Sequence, residues 1–192
     1  MIDEDIQILR VLTDTATSIF LNKKSNIARI RSLDILEEDK QQWIDNIIAP
    51  LNISLKKLQI DIYNILSRIP IYNYFLSQQE GLNIFDCAQI ISILVDIDDF
   101  KEYKHLVSYA GFIPHADNYN KKLHKLLLKI GYKLVKTNTQ YQWIFETQID
   151  RYHMQHPQYS DKHIENMAKR IVIRKFLKNL FVSWKAINKS FE

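Results

Sequence analysis

The spacing of apolar side chains constrains this chain most, and it is clearest over residues 55–69. Leu55, Leu58, Ile62, Ile65 and Ile69 step by three, four, three and four residues, a heptad seam just over two repeats long. Ile6, Leu9, Leu12, Ala16, Ile19 and Phe20 recur at helical spacing and predict a first helix over about 3–22. Residues 25–31 are basic and are expected to turn or fray. A second helix is predicted from about Asp34, with Trp43, Ile47 and Ile48 inward and Pro50 as its end. Pro70 closes the helix that carries the seam. With 3 Gly and 4 Pro in 192 residues, tight hairpins must be few. The fold class read from these patterns is all-α, a helical bundle with an N-terminal helical, coiled-coil-like segment. Residues 1–69 form that segment and 70–192 a second helical domain. The seam suits packing inside a bundle and a homodimer interface equally.

The single cysteine, Cys87, lies in an apolar pattern and reads as core rather than as a nucleophile. The opening MIDEDIQ is acidic and does not read as a cleavable leader. The most apolar window, 84–95, contains Asp86 and Gln89 and is too short to span a bilayer. A cytoplasmic address with no membrane partner is therefore expected.

Charge divides the chain. Residues 1–100 hold 9 Lys+Arg against 15 Asp+Glu, a balance of −6, whereas 101–192 hold 17 against 7, a balance of +10. An anionic partner for the second half follows, with nucleic acid ahead of a membrane surface or an acidic protein. Lys121, Lys125, Lys129 and Lys133 fall at successive fourth positions, and Lys122 and Lys136 widen their side. Leu123, Leu127, Ile130 and Leu134 occupy another face. No acidic residue occurs over 118–145, a stretch of 28 residues in which a merely solvated helix would carry Glu for pairing. Gly131 sits inside this pattern, where a bend or break is expected. The 141–149 stretch reads as more helix, and Ser160 caps a last helix to about Lys189. Ile164, Met167, Ile171, Leu177, Leu180, Phe181, Trp184 and Ile187 give that helix a broad apolar face. Its remaining surface carries Lys169, Arg170, Arg174, Lys175, Lys178 and Lys185. The nucleic-acid-binding residues expected are Lys121, Lys122, Lys125, Lys129, Lys133, Lys136, Arg170, Arg174 and Lys178.

Two clusters invite a metal reading. Asp96, Asp98 and Asp99 supply hard oxygens, but they read as a cap before the Phe100 helix. His153, His156 and His163 lack a nearby thiolate and read as surface histidines. No cofactor or metal is expected.

The stretch DIDDFKEYKHLVSYAGFIPH over 96–115 joins an acidic cap, an apolar helical stripe, Gly111 and Pro114. Its wording resembles the C-terminal domain of the IS-one-ten class of insertion-sequence transposases and the related Piv-type DNA invertases. The matching residues are Ile69-Pro70, 90–95, Asp99-Phe100, Leu106, Tyr109-Ala110-Gly111 and Pro114, with a weaker likeness at Lys129-Ile130-Gly131 and over 168–175. The likeness covers about 55–188. It implies a DNA-binding helical domain, and its oligomeric members tilt the seam towards a dimer.

The chain departs from that pattern in several places. After Ile69-Pro70 the family has a glycine-rich hairpin, whereas here Ile71, Tyr72, Asn73 and Tyr74 follow, and the tyrosines read as core. The family's serine nucleophile stands in an interval that here, over 115–128, holds no Ser, Thr or Gly. Tyr119 is the hydroxyl left in it, and the family's asparagine after Gly131 is replaced by Tyr132. No strand-rich domain is present to hold metal-binding carboxylates. The expectation is a nucleic-acid-binding protein, for DNA or structured RNA, without strand cleavage. The rival is a helical structural or adaptor protein of a mobile element or virus, using the basic half for protein or membrane contact.

Overall fold

The computed structural model describes residues 2–114 and 118–191. Among them the chain is all-α, with eight helices and no strand. It divides into two compact units, Met1–Arg68 and Ile69–Glu192.

The first unit is a hairpin of two long helices, α1 (Ile2–Arg31) and α2 (Glu37–Leu66). α1 buries Ile6, Leu9, Thr13, Ala16 and Ile30, and α2 buries Ile48, Leu55, Ile62, Ile65 and Leu66. Antiparallel register is fixed at both ends. Lys23 Nζ donates to Asn52 Oδ1 at 2.8 Å, and Arg68 pairs with Asp5 at 2.7 Å. The heptad seam is thus mostly spent within the chain: Leu55, Ile62 and Ile65 are buried, while Leu58 and Ile69 are half-buried.

Three expectations fail here. The predicted fray at 25–31 is helix, because Ile27 and Ile30 extend the inward stripe. Arg29 and Arg31 also sit in the last turn, where the helix dipole favours cations. Pro50 does not end a helix but lies inside α2. It and Asn46, whose carbonyl loses its usual donor, are both on the solvent side, where water can meet that carbonyl. Trp43 is 57% exposed rather than inward.

The second unit is built around α8 (Asp161–Phe191), against which α3 (Pro70–Tyr74), α5 (Tyr103–Tyr109), α6 (Lys121–Thr137) and α7 (Thr139–Gln155) pack. α4 (Ile84–Leu94) lies against α6. α8 buries Ile164, Ala168, Val172, Ile173, Phe176, Leu177, Leu180 and Trp184. Phe176 sits between the rings of Phe75 and Tyr141, at 6.1 and 6.3 Å. Leu177 and Trp184 are therefore core and not a free amphipathic face, although Ile171 is only half-buried. Among the described residues no helix is long and apolar enough to cross a membrane.

Pro70 begins α3 rather than merely ending the preceding helix. Its fixed φ suits the first helical position, and Ile69 before it is extended. Ile71 is buried and Tyr72 half-buried, but Tyr74 is 62% exposed and is not the core that was expected. α6 does not break at Gly131. A Cβ on Gly131 would lie 2.6 Å from Ile173 Cγ1, so the missing side chain lets α6 approach α8. Asn138 ends α6 and caps α7, its Oδ1 accepting from the Gln140 and Tyr141 amides.

Candidate nucleic-acid interface

α6 is positioned by its cap and by its inward leucines. Asn120 Oδ1 accepts from the Leu123 amide at 2.9 Å. Leu123, Leu126, Leu127, Ile130 and Leu134 are buried, which turns Lys121, Lys122, Lys125, Lys129 and Lys136 outward. The outward face also carries Leu128 at 46% and Tyr132 at 51% exposure. Lys136 Nζ lies 4.6 Å from the centre of the Tyr132 ring, a cation–π contact.

The lysine stripe is not uniform. Asp86 of α4 is completely buried, and its carboxylate accepts from Lys129 at 3.0 Å and from Lys133. The same carboxylate closes a capping box with Asn83, accepting from the Asn83 amide at 3.2 Å while Asn83 Oδ1 accepts from the Asp86 amide at 2.9 Å. Every oxygen of this buried anion is met. Two lysines expected at a phosphate therefore hold an internal carboxylate, and Lys133 keeps only 25% of its side chain exposed. Pairing came from another helix rather than from a fourth-neighbour Glu.

On α8, Arg170, Arg174 and Lys178 fall at every fourth position and are exposed. Among the described residues no ion pair joins them or Lys121, Lys125 and Lys136. Lys169 pairs with Glu165 at 3.0 Å, and Lys185 reaches Asp98 at 2.5 Å, so these two cations of α8 are partnered. α6 and α8 touch at Gly131 and Ile173, so both basic faces belong to one unit.

The Tyr109-Ala110-Gly111 stretch ends α5. Gly111, at φ +74°, donates to the Ser108 carbonyl and Phe112 donates to Val107, the paired bonds of a Schellman motif. The Tyr109 carbonyl and hydroxyl then accept from the Asn120 amide and side chain at 2.8 and 2.7 Å. The motif clips the end of α5 to the start of α6. Tyr119 packs its ring on His124, 5.0 Å between centres, and closely over Gly111, while His124 Nδ1 meets the Ala110 carbonyl at 2.9 Å. His115, within the same sequence motif, lies outside the described residues.

The acidic cluster is divided between two tasks. Asp96 caps a short 3-10 turn at Ile97–Asp99 through the Asp98 amide, and Asp98 binds Lys185 and Asn188. Those partners hold the Asp98 carboxyl below its ordinary value. The helix that follows is capped instead by Glu102, without a side-chain bond. His156 stacks on Tyr159, His163 meets the same ring edge-on, and His153 lies 3.8 Å from Asp161. Among the described residues no group of three His, Cys, Asp or Glu is placed to hold a metal ion. Cys87 is buried, and burial, reinforced by Asp86, pushes its thiol up to about 12.

Asp86 is the residue that sequence reasoning undervalued. An acid inside the most apolar stretch of the chain was itself the signal, because a buried carboxylate needs cations and amides around it. No family model, no curated protein and no solved structure matches this chain, so the likeness to the transposase C-terminal domain stands on the residues quoted above.

Proposed function

We propose that this chain binds nucleic acid, DNA or structured RNA, through its phosphate backbone and does not cut it. The contacts run through Lys121, Lys122, Lys125 and Lys136 of α6 and through Arg170, Arg174 and Lys178 of α8. The observation that carries the reading is the outward side of α6, where exposed lysines stand on a helix without one acidic residue. Lys129 contributes only with what Asp86 leaves of its charge, and Lys133 is primarily a structural cation. In this reading the protein works in the cytoplasm and descends from the nucleic-acid-binding end of a transposase of the IS-one-ten class. The family's serine has no counterpart, so binding is its remaining task.

A second reading keeps the chain as a helical adaptor. It draws on the exposed Trp43, Ile53 and Ile60 of α2, a face apart from the buried seam. A homodimer through Leu55, Leu58, Ile62, Ile65 and Ile69 is not part of this proposal, because Leu55, Ile62 and Ile65 are already buried within the chain.

Fluorescence anisotropy with labelled duplex DNA and with an RNA hairpin, at rising salt, tests the proposal. Displacing counterions from four or five phosphates gives a log–log slope of about −4. Replacing Arg170, Arg174 and Lys178 by Ala should flatten it by roughly one unit per lost contact. Binding that ignores salt, or none at low salt, overturns the reading. Supercoiled DNA with magnesium should stay intact.

A further inference from the structure

We infer that α6 receives a single strand, with an unpaired base stacked on Tyr132; this rests on the nucleic-acid reading above and narrows its ligand. The outward face of α6 is not only charge. Tyr132 is 51% exposed and Leu128, one turn earlier, is 46% exposed, both amid lysines. Lys125 and Lys136 flank the ring on the same side of the helix, within about 40° around the axis, at rises of about 10 Å and 6 Å from it. Tyr132 thus offers a flat apolar surface with a cation to either side along the helix. The nearer cation, Lys136, lies over the ring, 4.6 Å from its centre, and swings from that face to a phosphate when a base stacks there.

That arrangement matches a nucleotide chain whose bases are free. A base stacks on an aromatic ring whatever its identity, and neighbouring cations meet the phosphates before and after it. A duplex keeps its base faces inside its own stack and offers α6 only phosphates, which would leave Tyr132 and Leu128 facing water at the contact. A lipid surface would use the same cations, but two exposed apolar residues on one helix give little to insert.

The test compares a labelled single strand with its own duplex, for the full chain and for Tyr132→Ala, Tyr132→Phe and Lys125→Ala. Tyr132 is a surface residue, so circular dichroism should show each variant folded. The expected result is tighter binding of the single strand, weakened about ten- to a hundredfold by Tyr132→Ala and retained by Tyr132→Phe. Its tyrosine fluorescence should be quenched by the oligonucleotide less in Tyr132→Ala than in the wild type. Equal binding of both forms with Tyr132→Ala harmless overturns this inference and leaves phosphate binding standing. No binding of either form overturns both. Binding to anionic vesicles that the oligonucleotide cannot displace overturns the choice of ligand.

Discussion

Lys133 of α6 reaches across 47 positions of sequence to donate to the carboxylate of Asp86, a completely buried anion in the first turn of α4. Lys129, one turn earlier, donates to the other oxygen at 3.0 Å. One carboxylate thereby closes its own helix cap and ties α4 to α6.

The two lysines should back each other up. Lys133→Met leaves Asp86 with Lys129 and the Asn83 amide, a loss of about 1–3 kcal/mol. Lys129→Met, at a more exposed cation, should cost less than about 1 kcal/mol. Removing both strands a buried charge and should cost about 3–5 kcal/mol, more than the two losses added. Urea unfolding of the four proteins measures the cycle. Small, additive losses would mean that the carboxylate is hydrated rather than held.

Gly131→Ala should destabilise, although alanine is the better helix former by about 1 kcal/mol. The new methyl would fall 2.6 Å from Ile173 Cγ1 and 2.9 Å from its Cδ1, inside a packed interface. Overpacking of this kind costs about 1–3 kcal/mol. Because Ile173→Ala removes both opposing atoms, Gly131→Ala should become neutral or stabilising in that background. Thermal melts in both backgrounds decide it, and an equal penalty in each would point away from this contact.

Ile62→Lys asks what the heptad seam is for. Ile62 is completely buried. A lysine there should abolish much of the helical circular dichroism signal of the first unit, not yield a folded monomer. A well-folded variant whose only change is a smaller mass by light scattering would restore the dimer seam.

Periodicity made the helical class legible, together with the inward leucines of α6 and the apolar face of α8, because both depend on spacing alone. It could not distinguish Pro50 within a helix from Pro50 at its end. That depends on whether the stranded carbonyl faces water, which is a tertiary fact. Trp43 matched the inward spacing of α2 yet lies exposed, since a two-helix hairpin covers one side of each helix. The lysine stripe was legible as a stripe and misread as uniform. Local pairing rules look four residues away, and the carboxylate that divides the stripe comes from another helix. The seam was legible as apolar, but spacing is blind to which chain supplies the partner.

Alkaline pH should unfold the protein by a definite route. Burial raises the Cys87 thiol from 9.0 to about 12 and raises the Tyr103 and Tyr141 hydroxyls above their ordinary 10.0. In each case the folded state holds its proton where the unfolded state has begun to lose it. For Cys87 stability is therefore full below about pH 9 and falls between there and pH 12, at up to about 1.4 kcal/mol per unit. The two tyrosines act in the same direction above about pH 10, the half-exposed Tyr103 more weakly because water screens it. Cys87→Ala should flatten the first part of that decline. The same buried thiol should resist maleimide at neutral pH until denaturant is added, and fast labelling of the native protein would place it at the surface.

Lysines that hold the fold should separate by mutation from lysines that meet the ligand, although they share one helix. Lys125 is exposed, and no ion pair reaches it among the described residues, whereas Lys129 is 57% exposed and bonded to Asp86. If phosphate contact runs along the outward face, Lys125→Ala should flatten the salt dependence of binding by roughly one contact and leave the urea midpoint unmoved. Lys133→Ala should do the reverse, lowering the midpoint with little change in the slope, because its charge is already opposed at short range. Lys129→Ala should fall between them. The two measurements are independent, so the pattern cannot arise from a general loss of folded protein. Equal slopes for Lys125→Ala and Lys133→Ala would mean that the ligand displaces Asp86 from its lysines, or does not touch α6 at all. A stability loss in Lys125→Ala would show that a further carboxylate holds it. Lys125 and Lys133, two turns apart on one stripe, would then have the same work to do.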